Sequence, residues 1–273
     1  MRVVTMIKRV GALVATLMMM FSLGAGAVEL GFYESGKKVQ SYSLESLKKA
    51  LPVHNVDIFD PQYNKNKQYQ AFKLHDVLAY VYGDAWLQKL DTDVNFIALD
   101  GYQAVSDYKK VLDKGGYIVF KDRQYPGWEG IGRNKASPGP FYLVWDDKQK
   151  GPKKGYPWPY QLAKIDTVDF KQQYPAVYPH DVAKSSDIYA GFALFKERCM
   201  KCHAIDQEGG KVGPDLNAPM NILTYRQRDM VGEYIRQPSK FRYTQMPDHL
   251  DLKSSQIDSL LDYLQHQGKL SKK

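Results

Sequence analysis

The sequence holds two cysteines, and both lie in the stretch Cys199-Met200-Lys201-Cys202-His203. Two thiols spaced by two residues and followed at once by an imidazole form the attachment pattern for a c-type haem. In that chemistry the thiols add across the vinyl groups of the porphyrin, and the adjacent imidazole comes under the iron as its fifth ligand. Two other chemistries use a Cys-x-x-Cys pair. Thiol–disulfide exchange requires a lowered thiol pKa and normally follows a strand, whereas this pair follows a helical pattern and precedes a histidine. Zinc requires two further ligands nearby, and His54, His75 and His180 are scattered along the chain. With both cysteines in one motif no disulfide framework remains, so stability must come from packed cores and from the cofactor.

The elements around this motif read as helices. Ser185-Ser186-Asp187 offers an N-cap, and Tyr189, Phe192, Ala193 and Lys196 continue a helix toward Cys199. Downstream, Val212-Gly213-Pro214-Asp215-Leu216 contains a Gly-Pro turn. A last helix opens at Ser255-Gln256-Ile257-Asp258 as a capping-box type start, carries Ile257, Leu260, Leu261 and Leu264 on one face, and ends at Gly268. A sixth iron ligand has to reach the opposite face of the ring, and four methionines are available in this half: Met200, Met220, Met230 and Met246. Met200 lies inside the attachment loop, and Met230 falls in a helical pattern with Tyr234 and Ile235 that predicts a core position. Met220 after Pro219 and Met246 before Pro247 sit on loops and remain.

Gly191 and Phe195 lie four residues apart, with Phe195 four residues before Cys199. From here residues 183–268 resemble the class I c-type cytochromes. In that family this glycine and aromatic let the first and last helices cross at close range, which places Tyr263 or Leu264 at the crossing. The resemblance implies that the Pro214 carbonyl accepts the proton on the far nitrogen of the haem-binding His203, fixing its tautomer and orientation. It also implies that Met246, on Thr244-Gln245-Met246-Pro247 after the run Tyr234 to Phe241, is the axial methionine, with Met220 the runner-up. The implied cofactor is one covalently attached haem c, its iron held by His203 and Met246. A His/Met pair fills both axial positions, favours a raised potential and suits single-electron transfer without bond-making chemistry. A haem sensor or peroxidase would require Met246 to leave the iron. Lys201, Lys211, Lys240 and Arg242 bracket the expected haem edge and either steer an acidic partner or are ordinary solvated surface.

The 273-residue length suits two domains, and Tyr174-Pro175-Ala176-Val177-Tyr178-Pro179-His180 reads as their connector. The predicted organisation is residues 1–27 as a signal peptide, 28–180 as a mixed α+β domain and 181–273 as an all-α haem domain. In the first domain Ser43 caps a helix bearing Leu44, Leu47 and Leu51, and Leu74, Val77, Leu78 and Val81 form a second that Gly83 ends. Val94 to Leu99, returning from Tyr102 across an Asp100-Gly101 turn, Gly116 to Phe120, Phe141 to Trp145 and Ile165 to Phe170 read as strands. Residues 60–70 show no periodicity and read as a polar loop. Trp86, Trp128, Trp145 and Trp158 read as core and edge packing.

Phe72 to Leu78, Phe96 to Tyr102 and Gly139 to Trp145 resemble segments of the molybdopterin-binding domain of the sulfite oxidase type. That family binds molybdenum through a cysteine thiolate, and here both thiols belong to the haem motif. The half therefore reads as a cofactor-free relative used for docking or for shaping a surface beside the haem. The alternative is a sulfite-dehydrogenase-like unit in which it binds a substrate or molybdenum cofactor and passes electrons to the haem.

Arg2, Lys8 and Arg9 precede and flank an apolar run from Val10 to Leu23 that ends in Gly24-Ala25-Gly26-Ala27, the three parts of a secretory signal. Cleavage after Ala27 gives a periplasmic protein; an uncleaved run would instead tether it to the membrane. Removing those three cations from 38 leaves 35 against 30 acidic side chains, an excess of +5. Spread over both halves, that excess does not suggest nucleic acid. The expected partners are redox proteins, such as a membrane oxidase or a periplasmic dehydrogenase.

Overall fold

A computed structural model of the chain describes residues 28–83, 86, 92–132, 134–146 and 150–270. The signal-peptide expectation, residues 1–27, lies outside the described residues.

The N-terminal half combines two sheets with short helices. Strands β1 (Glu29–Glu34), β2 (Lys37–Ser43), β5 (Asp93–Ala98), β6 (Gln103–Asp107) and β9 (Leu162–Val168) form a mixed sheet in the order β2-β1-β9-β5-β6. β1 and β9 run parallel and the other pairs antiparallel. Strands β3 (His54–Asp60), β4 (Lys65–Lys73), β7 (Gly116–Asp122) and β8 (Tyr142–Trp145) form an antiparallel sheet in that order. One core serves both sheets: Phe32, Phe96 and Ile165 from the first and Tyr69, Ile118 and Leu143 from the second are buried together. Helices α1 (Leu44–Ala50) and α2 (Leu74–Tyr82) add Leu47, Leu74, Val77 and Leu78 to it. The Ser43 hydroxyl accepts from the Ser46 N–H at 3.2 Å, and Gly83, at φ 73°, ends α2 with its N–H on the Ala79 carbonyl. A side chain at that φ would be strained, which is why glycine stops the helix there.

Residues 60–70 are not a loop. They contain a short turn and most of β4, paired with β3 from His54↔Ala71 to Asp60↔Lys65. The inward alternation is present, but Lys67 occupies one of its apolar places. Its side chain is fully buried, with Nζ 2.6 Å from Asp122 and 2.7 Å from Glu129. Two carboxylates offset the desolvation of the ammonium, and a pattern read from hydropathy does not register that compensation. β9 also ends two residues early: the Asp169 carboxylate caps a single turn, α4 (Phe170–Gln173), by accepting from the Lys171 and Gln172 N–H groups.

The C-terminal half is helical, with α5 (Asp187–Leu194), α6 (Ile222–Tyr225), α7 (Arg228–Arg236) and α8 (Ser254–Leu270) and one small hairpin, β10 (Ala204–Ile205) and β11 (Glu208–Gly209). α8 begins one residue before its expected start, where the Gln256 side chain accepts from the Lys253 N–H at 3.0 Å. It also runs through Gly268 rather than ending there. A Cβ at Gly268 would fall 2.7 Å from Asn221 Cγ, so this glycine admits a neighbouring loop and terminates nothing. Met230 is 51% exposed on α7, not core, because Gly232 and Ile235 occupy the inward face.

The Pro-punctuated segment 174–180 packs into this half. Tyr174 and Val177 are buried in the cluster that holds Phe192, Phe195, Leu260 and Tyr263. The Tyr263 hydroxyl donates to the Val177 carbonyl at 2.7 Å, and the Gln267 amide donates to that of Ala176 at 2.5 Å. On the other side the segment before Cys199 grips the mixed sheet and the helix that follows it, α3 (Tyr108–Leu112): Lys196 Nζ lies 2.7 Å from Asp93 and 3.2 Å from Asp107, and Glu197 lies 3.1 Å from Lys110 of α3.

This contact has a pH signature. Burial pushes the Asp93 carboxyl up to about 6, against the pull of Lys196 and with the push of Asp107. A carboxyl whose pKa rises on folding stabilises the fold when protonated, so its contribution is complete below the unfolded value and is lost as pH rises through about 6. Between pH 4 and 7 the parent should lose up to about 3 kcal/mol of stability relative to Asp93→Asn, the worth of roughly two pKa units. Urea titrations at both pH values measure this, and parallel behaviour of the two proteins contradicts it.

Candidate haem site

The chain enters the site through a change of helix type. After α5 the residues Phe195–Cys199 form a π-helical turn, closed by the Met200 N–H on the Phe195 carbonyl at 2.9 Å. Such wide turns occur as single insertions, frequently at functional sites. Here the turn follows a tight crossing. A Cβ at Gly191 would be driven into the Ser259 carbonyl oxygen and would lie 2.9 Å from Tyr263 Cβ. α5 and α8 therefore meet backbone to backbone, and the Phe195 and Tyr263 rings pack with centroids 5.3 Å apart.

Cys199 and Cys202 are free and half-buried. Burial pushes the Cys199 thiol up to about 12 and raises that of Cys202. Thiol exchange needs the opposite shift, toward thiolate, so the environment speaks against a redox-active dithiol. Among the described residues no three His, Cys, Asp or Glu side chains converge as a metal-ion cluster.

His203 is oriented from behind. Its Nδ1 lies 2.8 Å from the Pro214 carbonyl oxygen, which can only accept, so Nδ1 carries the proton and Nε2 keeps its lone pair. Burial lowers the imidazole pKa, partly opposed by the Pro214 bond and by Asp215, which favours the neutral ligating form. Gly213 makes the approach possible: a Cβ there would sit 2.6 Å from His203 Cε1. Its N–H also holds the Cys202 carbonyl at 2.7 Å.

The Pro214 loop is braced by residues whose role the sequence did not signal. The Asp215 carboxylate accepts from the N–H groups of Asp206, Gln207, Asn217 and Ala218, at 2.6 to 3.2 Å. Buried Asn221 then ties Asn217 to the Leu264 carbonyl of α8 at 2.7 and 2.8 Å. The available cue was Asp215-x-Asn217, side chains that bond backbone a few residues away and so favour turns.

Met246 is half-buried against the C-terminal core, and its N–H is held by the Thr244 hydroxyl at 3.1 Å. Met200 is buried at 2% exposure, and Met220 is 50% exposed. Lys211, Lys240 and Arg242 are exposed, whereas Lys201 is half-buried and faces the N-terminal half.

These residues fit a c-type haem. Two neutral thiols suit addition to vinyl groups, and a tautomer-fixed imidazole presents a nitrogen lone pair beside them. Val212, Tyr225, Phe241, Tyr243 and Leu250, on the segment between His203 and α8, are 44% to 76% exposed in the polypeptide alone.

The crossed terminal helices, the Cys-x-x-Cys-His loop and the carbonyl behind the histidine define a small haem-binding domain of the c type. Residues 188–268 match the cytochrome c family, and this segment is a cytochrome c domain. The match is confined to that segment, and the family implies a covalently attached haem there. An uncharacterized protein of Acanthamoeba polyphaga mimivirus is 29% identical over 116 residues, covering 37% of this chain and 52% of that protein. The chain thus spans about half the length of that relative. The family match begins at residue 188 and leaves the N-terminal half outside it.

Proposed function

We propose that the chain is a periplasmic one-electron carrier whose N-terminal half shapes the surface on which redox partners dock. Cys199 and Cys202 hold a single haem c by thioether bonds, with His203 and Met246 as axial ligands and Pro214 behind the histidine. The observation that carries this reading is the 2.8 Å bond from His203 Nδ1 to the Pro214 carbonyl, one residue from a pair of free thiols. When bound, the haem supplies a reversible one-electron iron couple. The chain's own residues would set its surroundings: the Pro214 carbonyl keeps Nε2 of His203 available, Gly213 closes the loop over the imidazole, and the Thr244 hydroxyl holds the backbone of Met246, which would supply the second protein ligand. Filling both positions with protein groups leaves none for a substrate, which favours a carrier over an enzyme. Exposed Lys211, Lys240 and Arg242 suit an acidic partner face, as on a membrane oxidase or a periplasmic dehydrogenase.

Met246→Ala tests the ligand set. The parent should show the methionine–iron absorption band and the variant should lose it while keeping covalent haem; a parent without that band removes Met246 from the iron. Cell fractionation tests the location, and a chain retained in the cytoplasm with residues 1–27 intact would overturn it.

One observation favours a second reading, a haem-containing oxidoreductase related to sulfite dehydrogenases. An open pocket of about 410 Å³ lies in the N-terminal half, lined by Ser43, Leu44, Glu45, Phe120, Trp128 and Phe141 among others. Its lining is mostly apolar and includes a carboxylate but no cation to receive the phosphate of a pterin cofactor. The reading therefore stays second, and molybdenum near one equivalent in the purified protein would put it first.

A further inference from the structure

The N-terminal half reaches the haem-attachment loop itself. The β5–β6 turn is built by Asp100, whose carboxylate accepts from the Tyr102 N–H at 2.9 Å, while the Tyr102 carbonyl accepts from Ala98 at 2.9 Å. Tyr102 thereby comes to face Lys201 of the attachment loop. Tyr102, Ala104 and Val105 on one side and Lys196, Glu197 and Lys201 on the other enclose a cavity of about 20 Å³. That is room for one water and no more. The contact is held in register by the ion pairs of Lys196 with Asp93 and Asp107 and of Glu197 with Lys110. Gly155 closes the same boundary at φ 74°, where a Cβ would run into Lys110 Nζ.

The geometry points to Tyr102 as a positioning residue of the haem site, supplied by the other half of the chain: its ring closes the Lys201 side of the attachment loop to water and thereby raises the reduction potential. This rests on the haem reading above. The ferric state carries one more positive charge than the ferrous state, so water beside the porphyrin favours oxidation. An apolar wall that excludes water raises the potential. The ring, not the hydroxyl, does this, so side-chain size should govern the effect.

A series of Tyr102→Phe, Tyr102→Leu, Tyr102→Val and Tyr102→Ala in the full chain tests it by redox titration followed at the haem absorption. Phe should keep the parent potential, and the potential should fall with decreasing size. For Ala the ratio of reduced to oxidised haem at the parent midpoint should drop about tenfold, which is about 59 mV for a one-electron couple. A potential that stays flat across Phe, Leu and Val overturns the inference, and those milder variants serve if the alanine chain does not fold. A lowered melting temperature at constant potential assigns Tyr102 a packing role alone and also overturns it. Absence of covalent haem in the parent would strike the haem reading first, and is seen before any variant is compared.

Discussion

Replacing Cys199 and Cys202 together by alanine is expected to abolish covalent haem on the chain and to remove the cooperative melt of the C-terminal half. The first effect follows from the chemistry of attachment, because no other cysteine exists in the sequence. The second follows from the architecture. α6 has four residues and α7 nine, lengths that are marginal in water without tertiary support. Large side chains such as Tyr225, Tyr243 and Leu250 stay exposed in the polypeptide by itself. An apolar side chain such as Leu250 gains roughly 1.5–3 kcal/mol when fully covered, so a tethered porphyrin that covers such surface would stabilise this half. The N-terminal half has its own core between two sheets and should retain its transition. Haem staining on a denaturing gel and calorimetry read the two effects. A double variant that still carries haem after denaturation, or that melts as the parent does, contradicts the assignment.

The second large effect concerns a residue that touches no cofactor. Gly191→Ala forces a Cβ into the Ser259 carbonyl oxygen and toward Tyr263 Cβ, so α5 and α8 must separate. The Phe192 and Phe195 rings then lose their contacts with Tyr263, now at centroid distances of 5.9 and 5.3 Å. Forcing backbone apart in a packed core costs about 3 kcal/mol. That corresponds to a melting temperature roughly 12–24 °C lower for a domain of 60–100 residues. Gly232→Ala is the control: its Cβ would meet Ile257 and Leu261 at 3.4 Å, an ordinary contact. There the better helix propensity of alanine should leave stability unchanged or raise it by up to about 1 kcal/mol. Equal melting temperatures for Gly191→Ala and Gly232→Ala would show that the crossing is looser than described.

The sequence was most legible where one residue type can do only one thing. Two thiols and an imidazole at fixed spacing read as an attachment site without coordinates, and the helix crossing at Gly191 and Phe195 that the family resemblance implied is present in the structure. Apolar periodicity also marks α2, α8 and strands β5 and β7, because each faces a core along its length. It was least legible where burial depends on a distant partner. β4 was hidden because Lys67 fills an inward place, acceptable only beside Asp122 and Glu129, more than fifty residues away. Periodicity turns Met230 inward although it is exposed, and Gly268 reads as a helix end although Asn221 requires it.

The sequence alone therefore read a haem class from bond-forming atoms and their spacing, which are properties of the chain, and the cytochrome c match of residues 188–268 agrees with that class. The sequence also determined the two-part organisation, an α+β half followed by a helical one. Only the tertiary structure decided what surrounds those atoms. The Pro214 carbonyl was implied by the resemblance, but the bond from Asn221 to the Leu264 carbonyl and the N-terminal Tyr102 facing Lys201 of the attachment loop join segments remote in sequence. Orientation, solvent exclusion and local charge depend on which surfaces meet, and those meetings are fixed by packing of whole elements, which no local pattern encodes.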